Sequence, residues 1–415
     1  GWVNEIRSFG GIKFISLRDR NGLMQITLPK KEVSEELFSL IDSITKESVL
    51  LIEGKTQKTN QMDSGFEVIP EKIELLSKAD APIPLDISGK IESDLSSRFD
   101  WRFIDLRTRK NNAVFKIRGK STRILFDFFD SKGFTIMQTP KTTSAGVESG
   151  AELFELKYFD RKGFLSQSPQ IYKQMMVVAG FEKVFEIGPV FRAEKSHTTR
   201  HLTEFTGVDF EMSFIKSEHD VMDVIEEMMK DLIARLKDEC KKELEFLKVT
   251  LIVPKKIPRI EMSEAKKLLK EKGKILEKDD DLDAEAEKLL GEIIKEKFKE
   301  EFVFVINYPW SVRPFYHMKP ENDANGTNSF DLIWNGVEIA TGAQREHRYE
   351  ILKKQGKEKG VDLDKMKDYA SIFKYGCPPH GGVGLGLDRI IQRMLKIENI
   401  KEALMLPRDP ERLTP

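Results

Sequence analysis

Cysteine is nearly absent. Cys240 and Cys377 lie far apart and outside any C-x-x-C spacing, which excludes a disulfide scaffold and leaves nothing for a cysteine-built zinc site. A reducing, cytoplasmic home is the default for such a chain. No stretch approaches the ~20 apolar residues of a membrane helix, and no signal peptide is visible. The chain opens on Gly1-Trp2-Val3 inside what reads as a strand, so a short preceding piece is expected. An excess of either charge is also missing. Lys+Arg 68 against Asp+Glu 69 leaves a net charge of -1, which excludes a uniformly basic coat and makes any nucleic-acid contact local. There is no Walker loop, H-E-x-x-H or nucleophile elbow, so a P-loop ATPase, a zinc protease and a serine hydrolase are unsupported. No internal repeat or low-complexity tract is present.

What is present fits two or three domains in 415 residues, at roughly 100–200 residues each. Over 1–76 the pattern alternates as five short strands (1–6, 12–18, 22–28, 49–54, 66–76), with one helical stretch, 34–44, after the third. That is the order of an OB-fold barrel, which often binds single-stranded nucleic acid on its strand face; a small barrel used only for packing gives the same pattern. The domain reading is 1–80 for the barrel, a proline-punctuated linker over 81–98 (Ala81-Pro82-Ile83-Pro84-Leu85), and an α+β domain over 99–415. In it, apolar spacing predicts helices over 114–131 and 220–247 and a strand over 134–138 stopped by Pro140. Residues 254–300 read as an inserted helical subdomain whose Lys/Glu-rich surface is solvated rather than chemical.

The chemistry gathers on two predicted strands. Alternation over 183–194 sets Arg192 and Glu194 on one face, and over 205–214 it sets Phe205, Asp209 and Glu211 opposite Val208, Phe210, Met212 and Phe214. Two such neighbours would line one cleft, although exposed charges on an outer sheet face would alternate equally well. The connecting loop offers Lys195, His197, Arg200 and His201 as donors to a polyphosphate. A hairpin follows, 330–334 and 337–340, around Asn335-Gly336. Its regular register makes Asp331 oppose Ala340 and places Asp331 and Glu338 diagonally, as a Mg²⁺ pair or as solvent-facing carboxylates. The run Gly381 to Arg389 lacks the G-x-G-x-x-G spacing; its glycines permit close approach to a planar ligand before a helix over 388–395.

In this order, Pro140 closing a helix and strand, Phe191-Arg192-Ala193-Glu194 through Glu211, and the glycine run with Arg389 resemble the three signature motifs of class II aminoacyl-tRNA synthetases. The wording is similar to the aspartyl, archaeal/eukaryotic type, across the barrel, 164–174 and 342–348. The resemblance implies a catalytic domain built on an antiparallel sheet flanked by helices, with ATP as substrate and Mg²⁺ as cofactor. It assigns Arg192 to the α-phosphate, Glu194 to the adenine amino group, Phe205 and Arg389 to the two adenine faces, and Arg200 and His201 to the terminal phosphates. Asp331 and Glu338 would carry the metal, and Arg192, Glu338 and Arg389 would be the catalytic residues. Around aspartate it sets Glu148, Gln170 and Asp209 at the ammonium, and Lys173 and Arg345 at the side-chain carboxylate. In the barrel it gives Phe14 a stacking role on an anticodon base, with Gln25 beside it and Glu67 at the third base.

The implied function is activation of L-aspartate and its transfer to tRNA-Asp by a cytoplasmic homodimer built on the first motif. The rivals are asparaginyl and lysyl relatives and a barrel-less paralogue that makes asparagine. Lys173 stands where the related asparagine enzymes generally carry an acidic residue, and two cations would repel a lysine ammonium. An isosteric amide would strand both cations, so no editing domain is expected. Asn4, small and polar, leaves the choice between tRNA-Asp and tRNA-Asn open and leans toward charging both.

Overall fold

The computed structural model describes residues 1–60, 65–89, 91, 93–144, 153–195 and 198–415, which form two compact units, Gly1–Thr108 and Arg109–Pro415. In the first, β1 (Trp2–Phe9), β2 (Ile12–Arg18), β3 (Leu23–Pro29), β4 (Val49–Lys58) and β5 (Phe66–Ser77) close a barrel in the order β1-β2-β3-β5-β4. Inward positions Val3, Ile15, Ile26, Leu28, Leu50 and Ile73 fill it, and α1 (Glu35–Leu40), capped by Ser34, adds Phe38 to the same core. Each such side chain contributes roughly 1.5–3 kcal/mol through burial before entropy is subtracted. The passage read as a linker ends in α2 (Leu95–Asp100) and α3 (Arg102–Asp105). Arg107 reaches Glu47 of the barrel unit at 2.9 Å, and the unit closes at Thr108 rather than at 98.

The second unit begins with α4 (Arg109–Ser131), whose buried Val114, Ile117, Ile124, Leu125 and Phe128 follow the expected spacing. Next come β6 (Thr135–Ile136), shorter than the strand expected over 134–138, and a small sheet of β7 (Thr142–Thr143), β8 (Glu155–Tyr158) and β9 (Arg161–Leu165). The chain continues through α5 (Gln170–Met176), β10 (Lys183–Phe191), β11 (Glu204–Ser213), α6 (Glu218–Glu239) and α7 (Lys241–Leu247). The single helix expected over 220–247 is thus broken at Cys240. The insertion holds β12 (Arg259–Glu261), α8 (Met262–Glu271) and α9 (Ala284–Phe298). Then follow β13 (Phe302–Ile306), β14 (Ser329–Trp334), β15 (Val337–Arg345), α10 (Tyr349–Glu358), α11 (Lys367–Ile372), β16 (His380–Gly386) and α12 (Leu387–Leu395). Among the described residues no helix is long and apolar enough to cross a membrane.

These strands form an eight-stranded sheet, β12-β13-β14-β15-β16-β11-β10-β6, antiparallel from β13 to β10. The antiparallel sheet expected is therefore mixed at its margins, where β12 and β6 each pair in parallel. One face packs on α4 and α6 through Phe129, Phe185, Phe210, Ile225 and Met229. The insertion is more than a solvated surface: Leu268, Leu269, Leu290, Ile293 and Ile294 join Val303, Val305 and Tyr308 in a core of their own.

One expectation about the sheet is extended and another needs correction. The glycine run is a central buried strand; Gly384 and Gly386 line a cavity on one sheet face, and the glycines also make room for neighbouring side chains. A Cβ on Gly382 would meet Glu211 Oε2 at 2.1 Å, and one on Gly384 would meet Asp209 Oδ1 at 3.2 Å. The β14–β15 hairpin carries a bulge between Leu332 and Ile333, so Asp331 opposes Thr341 and not Ala340. One extra residue in a strand shifts every pair beyond it.

Candidate active site

The sheet face away from α4 and α6 bears a cavity of about 350 Å³, in the range of small-molecule sites. Cross-strand partners share a face, and the register pairs Asp209 with Gly384 and Gly384 with Thr341, so β11, β16 and β15 floor it together. Arg192, Glu194, Arg200, His201, Phe205, Gln170, Lys173, Asp209, Glu338, Arg345 and Arg389 all line the cavity, whereas Glu211, expected in the same cleft, does not. Asp331 and Lys195 lie outside the lining too. Glu148 and His197 lie outside the described residues.

At one end the charges are buried and already paired. Lys173 on α5 is 1% exposed; its Nζ donates to Asp209 Oδ1 at 3.1 Å and to the Val383 carbonyl at 3.0 Å, and Glu211 Oε2 is 3.4 Å away. Arg345 donates from Nε to Glu211 Oε1 at 2.9 Å and from Nη2 to Gln170 Oε1 at 3.3 Å. Its Nη1 donates to His317 Nε2 at 3.0 Å. Burial alone would push the Glu211 carboxyl up, but Arg345 and Lys173 outweigh it and hold the group below its ordinary range. His317 is driven well below its usual value, by burial first and then by Arg345, and is neutral. Two cations therefore face two anions before any substrate enters. That corrects one step of the sequence argument: a neutral amide would not leave Lys173 and Arg345 bare, because Glu211 already answers both.

The other end is wetter and looser. Arg192 Cζ stands 5.3 Å from the Phe205 ring centroid and its Nη1 3.8 Å from Glu194. Arg389 donates to the Glu338 carbonyl at 3.0 Å and lies 3.4 Å from its carboxylate. His201 is lowered chiefly by burial. A carboxylate not foreseen in the sequence is here as well. Glu287, on the first turn of α9, accepts from the Glu338 backbone N–H at 3.1 Å and sits 3.5 Å from Arg200. Burial, and then the Glu338 charge, push it up to about 7. Asp331 is held by Arg313 at 2.6 Å, and burial raises it to about 6. Its Oδ1 is buried without a hydrogen-bond partner.

Motif segments are locked together from behind. Asp388 accepts from Arg118 of α4 and from the Thr206 backbone N–H at 2.8 Å, so the first, second and third motif elements meet at one carboxylate. Among the described residues no group of three or more His, Cys, Asp or Glu could hold a metal unaided.

Residues 94–410 match the family model described as tRNA synthetases class II (D, K and N). The chain belongs to that family. Residues 1–76 match an OB-fold nucleic acid binding domain. This synthetase is 47% identical to the aspartate--tRNA(Asp) ligase of Pyrococcus abyssi and 47% identical to the aspartate--tRNA(Asp/Asn) ligase of Methanopyrus kandleri, in each case over 100% of the chain and 95% of the relative. Its structure is similar to that of asparaginyl-tRNA synthetase from Pyrococcus horikoshii complexed with asparaginyl-adenylate. The TM-score is 0.94 at 33% identity, covering 100% of this chain and 95% of that one.

In the barrel unit of this synthetase, Phe14 pairs with Thr27, Gln25 with Glu67, and all four lie on one strand face. Glu67 Oε2 accepts from Gln25 Nε2 at 2.9 Å and from the Thr27 hydroxyl. Thr27 was not singled out in the sequence, although it stands two residues beyond Gln25 on the same face of β3. The residues 61–64 of the neighbouring loop lie outside the described set.

Proposed function

We propose that this synthetase activates L-aspartate with ATP and transfers it to the 3′ end of tRNA-Asp, in the cytoplasm. The observation that carries the reading is that Lys173, Arg345, Asp209 and Gln170 line one end of the cavity together; on this reading Lys173 and Arg345 would take the substrate's side-chain carboxylate, and Asp209 and Gln170 its ammonium. The aspartate α-carboxylate attacks the α-phosphorus in line and pyrophosphate leaves toward Arg200, His201 and Arg389. Charge accumulates on phosphate oxygens, and fixed cations aimed at them lower the barrier. Arg192 is the group for the α-phosphate, Glu194 for the adenine amino group and Phe205 for its ring. No protein nucleophile or base is needed, because the attacking carboxylate is already ionised. In the second step a terminal ribose hydroxyl attacks the adenylate carbonyl, the acyl–phosphate bond breaks to release AMP, and the hydroxyl proton passes to a phosphate oxygen.

Mg²⁺ would be held by Glu338 and Asp331 with phosphate oxygens completing its shell, and it would neutralise polyphosphate charge. Glu338 lines the cavity and supports that fit, whereas Asp331 lies outside the lining, held by Arg313. We also propose a homodimer across α4 and β6, to be read by sedimentation at micromolar concentration.

For the tRNA, Phe14 would stack on an anticodon base, with Gln25 beside it. A Glu67 carboxylate accepts from the amino group of cytosine and meets only a carbonyl oxygen on uracil. Both tRNA(Asp) and tRNA(Asp/Asn) relatives stand at 47% identity, so overall likeness does not separate the two. Asn4 leads us to propose that tRNA-Asn is charged as well. A second reading, asparagine as substrate, is favoured by the TM-score of 0.94 to the asparaginyl enzyme and opposed by Lys173. Aspartylation of both transcripts at fixed salt tests the proposal: a tRNA-Asp to tRNA-Asn ratio above ~10³ contradicts dual charging, and absence of aspartyl transfer to either contradicts the function.

A further inference from the structure

The insertion reaches the phosphate end through one side chain. Gly291 of α9 packs on the β14–β15 turn so closely that a Cβ there would meet Gly336 N at 2.4 Å, and a Cβ on Gly336 would meet Lys288 Cα at 2.7 Å. Two glycines thus press helix against turn. One helical turn before Gly291, Glu287 is brought to the Glu338 backbone N–H at 3.1 Å. On its other side Glu338 is fixed by Arg389, which donates to its carbonyl at 3.0 Å, and by Thr341, whose hydroxyl lies 3.3 Å from its carboxylate. Glu338 pairs with Ile333 on one side, the bulge residue Ile339 follows it, and the pairing of β15 with β16 begins only at Ala340, so Glu287 supplies the acceptor for the Glu338 N–H from outside the sheet.

We propose that Glu287 is a positioning residue for nucleotide binding: its carboxylate hooks the Glu338 main chain and so sets the Glu338 and Arg389 side chains toward the polyphosphate. The insertion is then part of the active site and not an appended surface. The inference rests on the proposed ATP-dependent activation, and its test is chosen to stand apart from the identity of the amino acid.

Three variants of the full chain separate hook from charge. Glu287→Gln keeps an oxygen acceptor at full reach and loses the charge; Glu287→Asp keeps the charge and falls one methylene short; Glu287→Ala loses both. Equilibrium binding of ATP with Mg²⁺, which needs no amino acid, and the ATP and aspartate KM values in pyrophosphate exchange are the readouts. Loss of one positioning hydrogen bond predicts about tenfold weaker ATP binding for the Ala and Asp variants. The Gln variant should stay within about threefold of the parent, and aspartate KM should be unchanged in all three. Equal loss in Gln and Ala, an Asp variant like the parent, or parallel shifts in both KM values would overturn the proposal. If the Ala variant does not fold, the Gln and Asp pair decides. Parent protein that binds ATP but shows no exchange with aspartate would contradict the amino-acid assignment and leave the binding arm of this test readable.

Discussion

The two ends of the cavity are built on opposite principles. At the amino-acid end Lys173, Arg345 and Glu211 are each 0–2% exposed, and their polar atoms are satisfied at 2.9–3.4 Å before a substrate arrives. At the phosphate end the side chains of Arg192, Arg200 and Arg389 are 28–37% exposed and their ion pairs stretch from 3.4 to 3.8 Å. Low exposure makes each charge costly to move, whereas exposed pairs exchange partners at little cost. On the proposed reading, amino-acid choice would be a property of a set structure, and nucleotide binding would draw on side chains that water already screens.

Removing the anion at the buried end should have the largest effect. Glu211→Ala leaves two buried cations facing only Asp209, and breaking a buried pair in this way costs about 3–5 kcal/mol. Chemical denaturation checks it; a loss below ~1 kcal/mol would show that the end is not held by this carboxylate. Next comes Lys173. Lys173→Glu would gather three buried carboxylates and confuse folding with function, so Lys173→Met is the sharper variant. It should lower aspartate-dependent exchange by about 10²–10³-fold with ATP KM nearly unchanged, and equal shifts in both parameters would erase the distinction between the ends.

A smaller effect is expected from pH. Folded Glu287 holds its proton up to about 7 against an ordinary 4.5, so the folded state binds more protons than the unfolded chain between those values. The stability from this group is complete below about 4.5 and is lost as pH rises through 7, on the order of 3 kcal/mol. The Glu287→Gln variant should not share that loss, and identical pH profiles for parent and variant would contradict it. The smallest effect lies in the barrel unit. Thr27→Val removes one of two donors to Glu67, which should narrow discrimination between cytosine and uracil at the third anticodon base by about three- to tenfold. Pyrophosphate exchange without tRNA should not change; if it does, Thr27 acts through the fold.

Legibility in the sequence followed the range of the interaction. Period-2 alternation was enough to put Phe205 and Asp209 on one face, and Asn335-Gly336 was enough to mark the hairpin; Arg192 lines the same cavity from just beyond β10, which ends at Phe191 and not at 194. The bulge beyond that turn was not legible, because nothing about Ile339, the residue it leaves unpaired on β15, differs from a regular strand, and the partner of Asp331 moved one residue with it. Glu211 was placed on the correct face, but its service to both Lys173 and Arg345 depends on α5 and β15 meeting across the sheet. Glu287 left no signal at all. On α9 it looks like any acidic residue in a first helical turn, and only the close packing of Gly291 on Gly336 carries it to Glu338. The glycine run was legible only in part: room for close approach was its visible property, and Gly384 and Gly386 do line the cavity, while the space it leaves for Glu211 and Asp209 depends on β11 lying beside it.

The most direct test is ATP–pyrophosphate exchange by the full chain with L-aspartate and L-asparagine compared at equal concentration. Because Asp209 and Glu211 already face the two cations, the preference must come from Lys173 and Arg345 accepting a further carboxylate where a carboxamide offers only one weaker acceptor. We expect exchange with aspartate and at least ~10²-fold less with asparagine, as hydrogen-bonded charge recognition allows. Equal exchange with both, or faster exchange with asparagine, would contradict the assignment.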